Sequence, residues 1–204
     1  MTAPQGLKHQ VACEAATLLY FGAEKEYKQA KTRAAATLSA RFLPSNLEVA
    51  LELDRIAEEN EGQDRTRRLV EMRRQALGIM KRLDTFFPVL IGSVWRGTIR
   101  NGSDIDIAVY CDEPSQVADN LKKQGIRILR AEWTTVNKHG STMQSYHVYA
   151  ETEGKNPLEV TVRAKEEKGK SRKCEVFGDQ MKGLNTQELE KLLLSNPYQK
   201  FLPA

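Results

Sequence analysis

Apolar residues in the first forty positions recur at helical spacing. Ala12, Ala15, Ala16, Leu19, Ala23, Tyr27, Ala30, Ala34 and Leu38 form one stripe, predicting a helix from Leu7 to about Ala40 with Gly22 as its weak spot. Leu43-Pro44-Ser45-Asn46 then reads as a stop and a restart, because proline disfavours a helical residue before it and Ser45 or Asn46 can cap a new helix. This second helix is expected over Leu47–Glu59, with Val49, Ala50, Leu53, Ile56 and Ala57 inward. Asn60-Glu61-Gly62 ends it and Asp64 caps a third, Arg65–Leu83. That helix turns Leu69, Met72, Ala76, Leu77, Met80 and Leu83 inward and Arg67, Arg68, Arg73, Arg74 and Lys81 outward.

After Pro88 the period shortens to two. Val89-Leu90-Ile91 is a short apolar run ending at Gly92-Ser93, as a buried strand does on opening into a loop or helix. From Asp104 the residues alternate, with Asp104, Asp106 and Ala108 on one face and Ile105, Ile107 and Val109 on the other. A helix capped by Ser115 comes next, closed by Lys122-Lys123-Gln124-Gly125, then a strand over Ile126–Val136 and a turn at Asn137-Lys138-His139-Gly140. Ser145–Glu151 and Leu158–Arg163 read as a hairpin, Cys174–Phe177 as a short strand, and Thr186 as the cap of a last helix carrying Leu189, Leu192, Leu193 and Leu194. The hydrophilic run Lys165–Lys173 is either a loop over a substrate groove or a solvated connection. Helices followed by strands and helices predict an α+β protein. No Gly-, Pro- or Ser-rich linker separates the first helices from the strands, so the two are expected to share packing.

Composition narrows the class. In 204 residues, 40% are apolar and 28% charged, and with a mean hydropathy of −0.53 this fits a soluble protein with a real core. The net charge of +4 permits a nucleic-acid partner without demanding one. Three cysteines (Cys13, Cys111, Cys174), widely spaced and lacking any Cys-x-x-Cys, read as reduced thiols rather than disulfides or a zinc site. No signal pattern or membrane-length apolar run is present, so a cytoplasmic location is expected.

The chemistry concentrates at Asp104-Ile105-Asp106. Two carboxylates on one face of a half-buried strand repel each other, and a hard divalent cation is the usual remedy. Upstream, Gly92 allows close backbone approach, Ser93 offers a hydroxyl and an N–H, and Arg96 and Arg100 offer charge to phosphate. Glu159, between Leu158 and Val160, is a third acid flanked by apolar residues. It reads either as a metal ligand or as the polar face of an edge hairpin. The basic helical faces read either as solvated or as RNA contacts.

Gly92-Ser93, a turn of about ten residues and the apolar-flanked Asp104-Ile105-Asp106 resemble the signature of the DNA polymerase beta-type nucleotidyltransferases, which include CCA-adding enzymes, poly(A) polymerases and minimal nucleotidyltransferases. The resemblance covers roughly Asp84 to Arg163 and implies a polymerase beta-like palm, and with it a division into a helical accessory region, 1–63, and a mixed-sheet domain, 64–204. It also implies two Mg²⁺ ions, Mn²⁺ being an alternative, held by Asp104, Asp106 and Glu159. It places Gly92, Ser93, Arg96 and Ser103 at the incoming NTP, ATP among the candidates; Arg100 is an addition argued from charge. Glutamate departs from the more frequent aspartate at the third position. The reaction implied moves a nucleoside monophosphate from an NTP to a hydroxyl, with release of pyrophosphate. An RNA end such as a tRNA terminus is the preferred acceptor. The alternatives are a protein or small-molecule acceptor, as in antitoxin-like pairs, or a non-catalytic nucleotide- or RNA-binding module. No general base of the histidine kind is required, so His139 and His147 need no catalytic role.

Overall fold

The first apolar stripe folds as two helices, not one. In the computed structural model, which describes residues 5–138 and 141–203, α1 (Gln5–Tyr20) and α2 (Tyr27–Thr37) are parted by a turn where Gly22 takes φ 71°. Glycine enters the left-handed region without steric cost, so the weak spot is where the helix breaks. α3 (Asn46–Arg82) starts with a reciprocal cap. Ser45 Oγ accepts from the Glu48 N–H at 3.1 Å, and Glu48 Oε2 accepts from the Ser45 N–H at 2.7 Å. The expected stop at Gly62 and restart at Asp64 are realised as a kink inside α3, with Gly62 at φ 48°, ψ −130°.

Two clusters of buried side chains part near that kink. Before it, Val49 and Ile56 of α3 pack with Val11, Ala15, Leu19, Ala30 and Ala34 of α1 and α2. After it, Leu69, Met72, Ala76, Met80 and Leu83 pack against the sheet. One expectation for this helix is overturned. Arg73 does not belong to an outward basic stripe; it is fully buried and donates to the carbonyls of Val94, Trp95, Pro197 and Gln199 at 2.7–3.0 Å. Periodicity hid this because a guanidinium carries five donors and can be buried where backbone carbonyls converge.

The sheet has six strands in the order β3-β4-β5-β2-β1-β8. These are β1 (Val89–Ile91), β2 (Ile105–Tyr110), β3 (Arg127–Lys138), β4 (Ser141–Glu151), β5 (Pro157–Arg163) and β8 (Leu184–Asn185). β2 and β5 run parallel; every other neighbouring pair is antiparallel. The sheet is therefore mixed and the protein α+β. Ile105, Ile107 and Val109 of β2 and Leu158, Val160 and Val162 of β5 face the core, each burial contributing about 1.5–3 kcal/mol. α3, α5 (Pro114–Lys123) and α6 (Thr186–Ser195) supply residues to the same core.

Several local expectations shift. α5 begins with Pro114 at its first turn and Glu113 before it, without a Ser115 cap. α6 is capped by Asn185, whose Oδ1 accepts from the Glu188 N–H, rather than by Thr186. Cys174–Phe177 is a turn, not a strand; it joins the short pair β6 (Arg172–Lys173) and β7 (Gln180–Met181). In the turn expected at Asn137–Gly140, His139 and Gly140 lie outside the described residues, and Asn137 and Lys138 belong to β3. Among the described residues no helix is long and apolar enough to cross a membrane.

Candidate active site

Strand register gathers the acids. β2 and β5 pair in parallel with Asp106 opposite Glu159, and alternation turns both away from the Ile107 and Val160 core side. Asp104 sits one residue before β2 on the same side. Ligand oxygens of Asp104, Asp106 and Glu159 all lie within 4.8 Å of one another.

Burial and crowding make this trio electrostatically costly when ionised. Desolvation first, then the charges of Asp104 and Glu159, push Asp106 up to about 8. Burial likewise raises Asp104, with Glu159 adding to the shift, its own backbone N–H opposing and Arg100 opposing more weakly. Two carboxyls that resist ionisation, with a third acid beside them, form a set of oxygen donors that suits a hard divalent ion.

Gly92 fits against this trio. Ile91 pairs with Asp106 across β1 and β2, and the chain then turns at Gly92 with φ 69° into the five-residue α4 (Gly92–Arg96). A Cβ here would sit 2.7 Å from Asp106 Cγ, so only glycine meets both the backbone and the contact requirement. Ser93 opens α4, and its carbonyl accepts from Thr98 N–H at 3.0 Å. The segment back to Asp104 turns tightly, the Arg100 N–H donating to Ser103 Oγ at 2.9 Å and the Ser103 N–H to the Arg100 carbonyl at 3.0 Å.

α3 holds that turn from outside. Buried Arg65 donates through Nε to the Ile99 carbonyl at 2.7 Å and pairs with Asp54 and Glu58, while Glu61 Oε1 accepts from the Asn101 N–H at 2.9 Å. Neither residue carries a sequence signal for this role; both read as members of a charged helical surface.

A pocket of about 310 Å³ opens from the acids toward the N-terminal helices. Ser93, Arg100, Ser103, Asp104 and Asp106 line one side, and Lys25, Tyr27 and Leu53 line the other. Burial pushes Tyr27 up to about 12, with the Arg100 charge opposing. Arg96 departs from expectation although it borders the same space. It is 3% exposed, pairs with both Asp179 carboxylate oxygens at 2.6 and 3.1 Å, and donates to the Phe201 carbonyl at 2.9 Å. Its guanidinium also lies 4.5 and 4.2 Å from the Trp95 and Phe177 ring centroids. Arg96 is thus a buried, neutralised cation that fixes the C-terminal segment, not a free phosphate ligand. Arg100 keeps only a 3.4 Å bond to the Asn101 carbonyl and has no carboxylate partner among the described residues.

His147, of which no catalytic role is required, stands beside Glu159. Its Nδ1 lies 2.5 Å from Glu159 Oε1 and its Nε2 lies 2.7 Å from Ser145 Oγ. Only the β4–β5 register brings it there, with His147 opposite Thr161 and Tyr149 opposite Glu159. A second group of metal-type donors, His9, Cys13 and Glu52, converges between α1 and α3. There Glu52 Oε2 already accepts from Arg55 Nε at 2.8 Å and from the Cys13 thiol at 3.4 Å.

A family model described as a nucleotidyltransferase domain matches residues 73–179, just over half of the chain, and spans all three acids. No curated protein matches the chain. Among solved structures, one described as the structural basis for the activity of a cytoplasmic RNA terminal U-transferase is similar at 16% identity and a TM-score of 0.29. The match covers 57% of this chain and 34% of that one, so the chain matches about a third of that structure's length.

Proposed function

The chain belongs to the nucleotidyltransferase-domain family, and from that premise we propose that it transfers a nucleoside monophosphate from an NTP to a hydroxyl, most favourably at an RNA end. The observation that carries the reading is the convergence of Asp104, Asp106 and Glu159, the two aspartates lining a pocket that also presents Ser93 and Arg100. Residues 64–204 form the catalytic domain in this reading, and residues 1–63 form an accessory unit that closes the pocket with Lys25 and Tyr27.

Asp104, Asp106 and Glu159 would hold Mg²⁺ or Mn²⁺. Two such ions, when bound, supply neutralisation of the triphosphate and of the leaving pyrophosphate, and acidification of the acceptor hydroxyl. Ser93, at the start of α4, grips the triphosphate with its hydroxyl and N–H, and Arg100, which has no ion-pair partner among the described residues, adds positive charge. Ser103 fixes the turn that delivers Asp104. His147 orients the Glu159 carboxylate through Nδ1. Tyr27 offers an aromatic face in a desolvated wall, suited to a base. In the transfer the acceptor oxygen bonds to the α-phosphorus, the bond from that phosphorus to the bridging oxygen breaks, and pyrophosphate departs with that oxygen. The acceptor's proton passes to water.

Charge favours RNA over the other acceptors: the chain carries +4 overall, and Lys25 and Arg100 face the pocket without carboxylate partners among the described residues. No observation favours a protein acceptor. The test is incubation with each α-labelled NTP, Mg²⁺ or Mn²⁺, and RNA. Label on the RNA, absent with Asp104→Asn, is the expected result. RNA binding with no label transferred from any NTP to RNA, lysate protein or small molecule would make the chain a non-catalytic module and end the proposal.

A further inference from the structure

A larger groove, of about 680 Å³, lies at the opposite end of β1 and β2 from the acids. Val89 and Tyr110 form its floor, Phe87 one wall, and Lys168, Lys170 and Lys182 the rim. The three lysines differ from most cations of the sheet domain. Lys81, Arg82, Lys165 and Arg172 each pair with a carboxylate, and Arg96 does so in the interior. Among the described residues no carboxylate lies within ion-pairing distance of Lys168, Lys170 or Lys182; Lys168 Nζ instead sits 3.2 Å from the Phe87 ring centroid. Among the described residues, Asp84 is the one acid lining the groove. Beside Tyr110, Arg163 adds a further cation, paired with it across β2 and β5, and its Nε is buried without a hydrogen-bond partner.

The groove and the active site are two ends of one surface. Alternation places Asp106 and Tyr110 on the same face of β2, and Glu159 and Arg163 on the same face of β5. The two ends are separated by the length of β1, Val89 to Gly92, or about 10 Å. Met181 of β7 borders both cavities. A flexible polyanion with one end at the carboxylates would therefore bring its next phosphates to the lysines. Exposed aromatic surface at Phe87, 47% accessible, accompanies the charge, and this pairing of cations with a ring suits unstacked bases better than duplex.

We propose that this groove binds the phosphate backbone of single-stranded RNA immediately upstream of the 3′ hydroxyl that the active site extends. The choice of RNA rests on the transferase reading; the binding itself is measurable without catalysis. The experiment is fluorescence anisotropy of a labelled single-stranded oligoadenylate with the full chain, in EDTA and without NTP. It compares wild type with Lys168→Gln/Lys170→Gln/Lys182→Gln, and with Lys123→Gln/Lys191→Gln, which removes two exposed lysines elsewhere. Three phosphate contacts on a single strand set a salt slope of about 2, so wild type should lose about 20-fold more affinity than the triple variant between 50 and 200 mM salt. The Lys123/Lys191 variant should behave as wild type does. Equal affinity and slope in wild type and the triple variant overturn the proposal. So does an equal loss in the Lys123/Lys191 variant, or lysine-dependent retention on phosphatidylserine vesicles without RNA binding. Lysine-dependent RNA binding in a protein that transfers no label would support the groove and refute the transferase reading, so the two fail separately.

Discussion

Replacing Asp106 with asparagine should stabilise the metal-free protein while abolishing its response to metal. Asp106 is raised from 3.8 to about 8, first by burial and then by Asp104 and Glu159. Its folded-state value is thus above its unfolded value, and between roughly pH 4 and pH 8 the native state holds a proton that the unfolded chain has released. Stability from this group therefore falls as pH rises through that window and levels off above it. One proton over about four pH units at 1.36 kcal/mol per unit sets a ceiling of about 5 kcal/mol. Side-chain relaxation and water entry lower it, and about 1–2 kcal/mol is the effect to look for, equivalent to about 2–8 °C in a chain of this size. The assay is thermal unfolding in EDTA from pH 4 to 9, repeated with Mg²⁺. Asp106→Asn should melt above wild type at pH 8–9, and the gap should narrow as pH falls toward 4, because there the unfolded wild-type carboxyl is regaining the proton that the folded one already holds. Mg²⁺ should raise the wild-type midpoint, more at pH 8 than at pH 6, and leave the variant's unmoved. Coincident melting curves at pH 9 in EDTA would refute the electrostatic account of the trio.

Other outcomes rest on particular contacts. Gly92→Ala places a methyl against the Asp106 carboxylate on a backbone at φ 69°; it should cost about 1–2 kcal/mol in urea unfolding and remove transfer activity, and an active variant would contradict the packing. Arg73→Met leaves four carbonyls without their donor and should lower stability by about 3 kcal/mol or more, measured by denaturant titration; a loss under about 1 kcal/mol would mean that water replaces the guanidinium. His147→Ala should weaken Mn²⁺ binding about 10–100-fold by calorimetry, the range for a residue that orients a ligand, and unchanged affinity would remove His147 from the site.

The acids were legible in the sequence because strand alternation is a local property. Ile105 and Ile107 declare a face, and Asp104 and Asp106 must take the other. Glu159 carried the same mark between Leu158 and Val160, but its alignment with Asp106 comes from a parallel β2–β5 pairing across about fifty residues, which no local pattern encodes. His147 was missed for that reason, since its partner is set by the β4–β5 register. Arg73 and Arg96 were misread in the opposite direction. Their charge suggested surface or phosphate, while the carbonyls, Asp179 and the Phe177 ring that bury them are distant in sequence. The helix break at Gly22 and the kink at Gly62 were both marked by glycine, but single residues could not say which would end a helix and which would bend one.

The central claim is that Asp104, Asp106 and Glu159 form one cation site at a nucleotide pocket. Anomalous diffraction from crystals grown with Mn²⁺ and a non-hydrolysable NTP tests it most directly. The account expects anomalous peaks within coordination distance of all three carboxylates, with the triphosphate reaching Ser93 and Arg100. Nucleotide bound elsewhere, or an intact trio with no anomalous density under saturating Mn²⁺, would contradict it.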